Sequence, residues 1–309
     1  MRQARVLFIW DVRPELRDYL RAGLAEVPGH APGHRGNAAP GHPGLTRRRT
    51  AVSITAVLRR LSILLLAALL TGCGGDIIAD SAELDRALVP AIDLTRHQEP
   101  EPARAAMAEL LPAWEEFRER YHGYRPADPD WAAVFAEIDT LIADVADIVE
   151  DGDDFAFAAA NLVDMRMMLA ELRGAAGIEY YLDVLAELWE PAEELEDLTR
   201  RRDAGNVTPG DFTAFSVLLD EVDDALQDIV ETPFDAARFG FDGEMTEELF
   251  RRLDALADAG ADLEAALAAA DAADALRAAR LVFPLYLEVC RLFGDYNLAV
   301  EAEPDPDSQ

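Results

Sequence analysis

Residues 128–152 read DPDWAAVFAEIDTLIADVADIVEDG. Trp131, Phe135, Ile138, Leu141, Ile142, Val145, Ile148 and Val149 recur at alternating spacings of three and four, which puts them in one stripe along an α-helix. Asp128 followed by Pro129 supplies a cap and a first-turn proline, and Gly152 supplies the stop. The same period returns at Phe212, Phe215, Leu218, Leu219, Val222, Leu226, Ile229 and Val230, behind Thr208-Pro209-Gly210. It returns again at Leu249, Leu253, Leu256, Ala259, Leu263 and Leu267. Strand-like alternation is absent from this part of the chain, so the expected fold is all-α, an up-down bundle of about eight helices.

Breakers place those helices at about 80–97, 101–122, 129–150, 154–173, 178–203, 209–231, 245–269 and 271–293. Asp80 with Glu83 reads as a capping box for the first of them. Only the connection 232–244 is long, and it carries Phe234, Phe239 and Phe241. Leu111-Pro112-Ala113-Trp114-Glu115-Glu116-Phe117-Arg118 aligns, with one residue of slack, with Phe283-Pro284 and the residues up to Arg291. The bundle domain 80–297 therefore divides into candidate halves 80–203 and 204–297. Biased Ala and Leu content explains the match equally well. The acidic tail 298–309 is expected to be disordered.

Half of the 309 residues are hydrophobic, which excludes a wholly disordered chain. The net charge of −32 excludes nucleic acid as a partner, since phosphate binding needs a basic face. Residues 1–72 hold 11 arginines and 4 acids; the remaining 237 residues hold 17 arginines, 56 acids and no lysine. Such an exterior repels itself unless salt screens it. It fits a GC-rich genome, a salty habitat or a cation-collecting surface.

Arg59-Arg60 precedes the apolar run Leu61–Leu70, which ends in Leu70-Thr71-Gly72-Cys73. Ten residues fall short of the roughly 20 needed to span a bilayer, and the order of parts is that of a secretory signal. The ending resembles the lipobox of bacterial lipoproteins. That resemblance implies cleavage before Cys73, a lipid anchor on its thiol and an extracytoplasmic location. Gly74, rather than Asp, after the cysteine is similar to the outer-membrane sorting pattern of a Gram-negative host. Residues 51–72 are then the signal and 73–79 a lipidated tether.

The signal begins some fifty residues in. Ala4–Val12 reads as a strand and Pro14–Val27 as a helix, a fragment that resembles the opening of a 2-hydroxyacid dehydrogenase without its diagnostic motif. Residues 28–49 are rich in Gly, Pro, His and Arg. The expectation is that 1–50 is a non-native extension from a misassigned start, with Val52 or Val57 as initiator.

Catalytic motifs do not emerge, and the expectation is a binding module rather than an enzyme, without cofactor. Its candidate groove for a small ligand or another envelope protein is Arg173, Tyr180, Tyr181 and Trp189, with the loop phenylalanines closing over it. The alternative is a metal- or haem-binding bundle using thioethers of Met165 and Met168 with His97 or His122, although both methionines also lie on an apolar stripe. Glu119-x-x-His122 lacks the second copy that a di-iron bundle requires. Cys290 would need an electropositive setting and a histidine to act as the nucleophile of a hydrolase.

Overall fold

The computed structural model describes residues 76–125 and 128–297; residues 1–75 and 298–309 lie outside the described residues, and with them the signal, Cys73 and the tail. The fold is all-α. Among the described residues the helices are α1 (Ile77–Arg96), α2 (Pro100–Tyr121), α3 (Pro129–Asp151), α4 (Phe155–Ala175), α5 (Tyr181–Ala186), α6 (Trp189–Arg200), α7 (Pro209–Glu231), α8 (Ala236–Phe239), α9 (Gly243–Ala268) and α10 (Ala272–Arg291). None of them is long and apolar enough to cross a membrane.

Neighbouring helices close two four-membered rings. In the first, α1 packs on α2, α2 on α3, α3 on α4 and α4 back on α1. In the second, α6 packs on α7, α7 on α9, α9 on α10 and α10 back on α6. The short helices α5 and α8, with the α1–α10 contact, join the rings. Trp189 and its helix α6 pack against α10 in the second ring. Pro112 and Pro284, the paired prolines of the sequence match, lie in α2 and α10, each the second helix of a hairpin.

The α3 stripe behaves as its period demands. Trp131, Phe135, Ile138, Ile142, Val145 and Val149 are buried, Asp128 accepts from the Asp130 amide, and Gly152 ends the helix at φ 71°. Rings from α2 and α3 form a ladder, with Trp114 and Phe135 at 5.4 Å and Phe117 and Phe135 at 6.1 Å.

Two boundaries differ from expectation. The first helix starts at Ile77, because Asp76 accepts from the Ile78 and Ala79 amides. Asp80 and Glu83 form no capping box; Asp80 pairs with Arg120 and Glu83 with Arg86. The single helix expected over 178–203 is two, with a turn at Glu187–Leu188. Pro191 is the reason, since it has no amide for the Glu187 carbonyl and its ring excludes that carbonyl from a continuous helix. The long connection 232–244 carries α8 in its middle.

Pro90 has a further effect inside α1. It leaves the Arg86 carbonyl without its helical donor, and the Asp295 amide fills the vacancy, donating to that carbonyl at 2.8 Å. Residues 294–297 thus form a strap across α1, fastened also by the Tyr296 hydroxyl on Asp93 at 3.0 Å. Gly294 permits the approach: a Cβ there would lie 2.9 Å from Pro90 Cδ and 2.9 Å from the Tyr296 ring. Gly294→Ala is expected to lower stability by about 1–3 kcal/mol in urea denaturation. Gly123→Ala, which meets nothing within 4 Å, should cost little; equal losses would refute the strap's close fit.

Candidate functional site

Two features could carry function: a polar cluster sealed between the rings, and a groove on the surface of α1 and α2. The cluster begins with positions that interrupt apolar stripes. Ser81 and Asp85 share the α1 face of Leu88 and Ile92, while Arg166 and Arg173 share the α4 face of Leu162 and Leu169; all are buried. Arg173 donates from Nε to Asp183 Oδ2 at 2.8 Å and from Nη1 to Ser81 Oγ at 3.4 Å. Its guanidinium lies 4.7 Å from the centre of the Tyr180 ring, whose hydroxyl donates to Asp85 at 2.6 Å. Arg166 donates to the Leu182 carbonyl at 3.3 Å. Its charge faces Asp85, and the Tyr286 hydroxyl and Cys290 thiol of α10 lie beside it. The Tyr286 hydroxyl has no hydrogen-bond partner of proper geometry.

Loss of solvent pushes the Asp85 carboxyl up, against the pull of Arg166, Arg173 and the Tyr180 hydroxyl.

 Burial does the same to the Cys290 thiol and to the hydroxyls of Tyr180 and Tyr286.

This cluster takes in two of the four groove residues read from sequence and closes them off. Arg173 and Tyr180 meet in it, and Tyr181 packs beside it against Phe234 at 4.9 Å. Phe239 covers Tyr180 at 5.8 Å, so the loop phenylalanines do close over this region. Trp189 lies elsewhere, edge-on to Phe283 at 5.2 Å, with Arg96 4.4 Å above the Phe283 ring. All four side chains are buried, and they form core rather than an open groove. Asp85, Arg166, Ser81 and Tyr286 escaped the sequence reading, although charges at stripe positions were visible in it.

The alternative metal set is scattered. Met165 is fully buried in the α4 stripe and Met168 packs partly buried against the core. His97 and His122 cap the C-termini of α1 and α2, and the 22-residue α2 separates them by about 33 Å. Among the described residues no group of three or more His, Cys, Asp or Glu could hold a metal ion. Cys290 is buried beside Arg166, with no histidine among the groups acting on it.

The surface groove is open. It encloses about 320 Å³ between α1 and α2 and ends against the strap at Asp295 and Asn297. Leu84, Ala87, Ala113 and Phe117 line its apolar part. Its walls carry Glu83 with Arg86 at 2.9 Å, Asp80 with Arg120 at 2.6 Å, and Arg120 with Glu116 at 2.7 Å. Glu109 adds a further carboxylate. Its volume suits a small molecule, and an apolar floor under fixed charges suits an amphipathic one. A second cleft of about 340 Å³ lies on the other side of the strap, lined by Asp93, Arg252, Glu288, Arg291 and Tyr296 among others. No family model, curated protein or solved structure matches the chain.

The buried cluster sets a pH limit. In the unfolded chain Cys and Tyr ionise from about pH 9 upward, whereas in the folded chain burial keeps Cys290, Tyr180 and Tyr286 neutral to higher pH. Their contribution to stability is complete below that pH and is lost as pH rises further. Tyr286→Phe removes a buried hydroxyl without a partner and is expected to raise stability by roughly 1 kcal/mol at pH 7. Urea titrations at pH 7 and pH 10 should also show a smaller alkaline loss in the variant. Cys290 should resist alkylation in the folded protein and react after denaturation; rapid labelling of folded protein would restore the nucleophile reading.

Proposed function

We propose that this chain is a lipid-anchored protein of the bacterial cell envelope, held on the extracytoplasmic side through Cys73 and acting by binding in the α1–α2 groove. The reading rests on the order of Arg59-Arg60, the apolar run to Leu70 and the lipobox-like Leu70-Thr71-Gly72-Cys73, with a helical domain capped at Asp76 directly behind it. The lipobox resemblance suggests the anchor, and the groove offers a ligand-sized surface close to it. In a Gram-negative host Gly74 favours the outer membrane. The ligand is a small amphipathic molecule or a segment of another envelope protein.

Anchoring is tested in cells by labelling with a fatty-acid analogue. The full chain should incorporate label and fractionate with membranes, and Cys73→Ala should lose both; an unlabelled wild-type protein would overturn the anchor. Binding is tested by native mass spectrometry of protein purified from its own membranes. Ala113→Trp, which fills the groove, should lose a small molecule that accompanies the wild type. Identical spectra would remove the groove from the proposal.

A further inference from the structure

The groove between α1 and α2 has two chemically different ends. Asp80 in the first turn of α1 pairs with Arg120 in the last turn of α2, so the two helices run antiparallel along it. Glu109, on the same wall as Arg120, lies about 16 Å back along the α2 axis. That places Glu109 opposite the later turns of α1, where the Asp295 amide bonds the Arg86 carbonyl and Gly294 abuts Pro90. Glu109 and Asp295 therefore share the strap end of the groove, and Asp80, Glu116 and Arg120 share the other.

Five carboxylates and two guanidinium groups line the groove. Both cations are committed. Arg86 donates to Glu83 at 2.9 Å and to the Phe239 carbonyl at 3.3 Å, and Arg120 pairs with Asp80 and Glu116. Glu109 and Asp295 are the carboxylates left over: both are exposed, and among the described residues no cation pairs with either. Asp295 accepts through Oδ1 from the backbone and side-chain amides of Asn297, each at 2.9 Å, which fixes the carboxylate on the strap and leaves Oδ2 as an acceptor. Between the two ends the floor is apolar, with Leu84 and Phe117 buried and Ala87 and Ala113 half-buried. An anionic ligand would meet unneutralised carboxylates in the field of a strongly acidic chain. A primary ammonium offers three N–H donors to those same acceptors, and an alkyl chain attached to it matches the floor.

We propose that the groove binds a primary alkylammonium compound, its head held by Glu109 and Asp295 at the strap end and its chain lying over Ala87, Ala113, Leu84 and Phe117. The inference rests on the reading of this groove as the binding site and adds the class of ligand. Because both carboxylates are exposed, the contribution of the head is screened by salt, whereas that of the chain is not.

The test titrates the full chain at pH 7 with octylammonium, octanol and octanoate, by isothermal calorimetry at low and high sodium chloride. At low salt octylammonium should bind about three- to tenfold more tightly than octanol, since two exposed ion pairs each contribute modestly, and octanoate should bind more weakly than either. High salt should narrow the differences. Glu109→Gln with Asp295→Asn removes both charges and keeps an acceptor for the Asn297 amides; it should bring octylammonium to the affinity of octanol. Ala113→Trp, with helical circular dichroism matching the wild type, should abolish binding of all three. Equal affinity for octylammonium and octanol, a preference that survives the double substitution, or no binding of octylammonium would overturn the cationic ligand. If Ala113→Trp still blocks octanol in that case, the groove itself stands. Binding indifferent to Ala113→Trp would instead remove the groove, whatever the charge preference.

Discussion

The paired hydrogen bonds between Arg173 and Asp183 hold the most consequential charge in the molecule. Arg173 comes from α4, Asp183 from α5, and the neighbouring Tyr180 reaches Asp85 on α1. Arg166 extends the cluster to α10. The two rings are therefore joined through buried charge as well as through the apolar contacts of Tyr181, Phe234, Phe239 and Phe293. An apolar surface tolerates sliding, but a buried ion pair is strongly disfavoured once one partner is lost. The cluster thus ties α1, α4, α5 and α10 together at one buried point.

Among the described residues, the ion pairs outside the cluster are made by arginine, the His97–Asp93 contact apart. Many of these pairs are local, such as Arg104 with Glu101, Arg251 with Glu248 and Arg277 with Asp274. Exposed pairs of this kind contribute little individually. Their collective effect is to divide a large negative charge into neutralised patches. Glu248, held between Arg251 and Arg252, has its carboxyl drawn down to about 2. Bidentate geometry favours arginine over lysine in such roles. An acidic surface ordered in this way still requires counterions.

The fold class was legible because stripes such as Trp131 to Val149 need only local sequence to be read. The ends of α3 were equally legible, since Asp128, Pro129 and Gly152 act on their immediate neighbours. The break before α6 was also written in the chain, but the apolar pattern ran through Pro191 and concealed it. The polar cluster was harder to read. Arg166 and Arg173 stood at stripe positions, yet nothing near them identified Asp85, Tyr286 or Asp183 as companions. Tyr180 and Trp189 looked like groove residues because their polar tips are visible in sequence, whereas their burial depends on Phe239 and Phe283 arriving from distant segments.

The strap gives the first described helix a dependence on the last described residues. Tyr296 and its partner Asp93 are 203 positions apart, and the Arg86 carbonyl takes its donor from Asp295. Contacts so distant along the chain form late, after the intervening segments have been brought together. For a polypeptide emerging amino-end first, α1 would appear with a gap at Pro90 and complete its hydrogen bonding only when Asp295 arrives. A chain halted before Gly294 would carry every described helix and still lack this closure, which residues 294–297 alone supply.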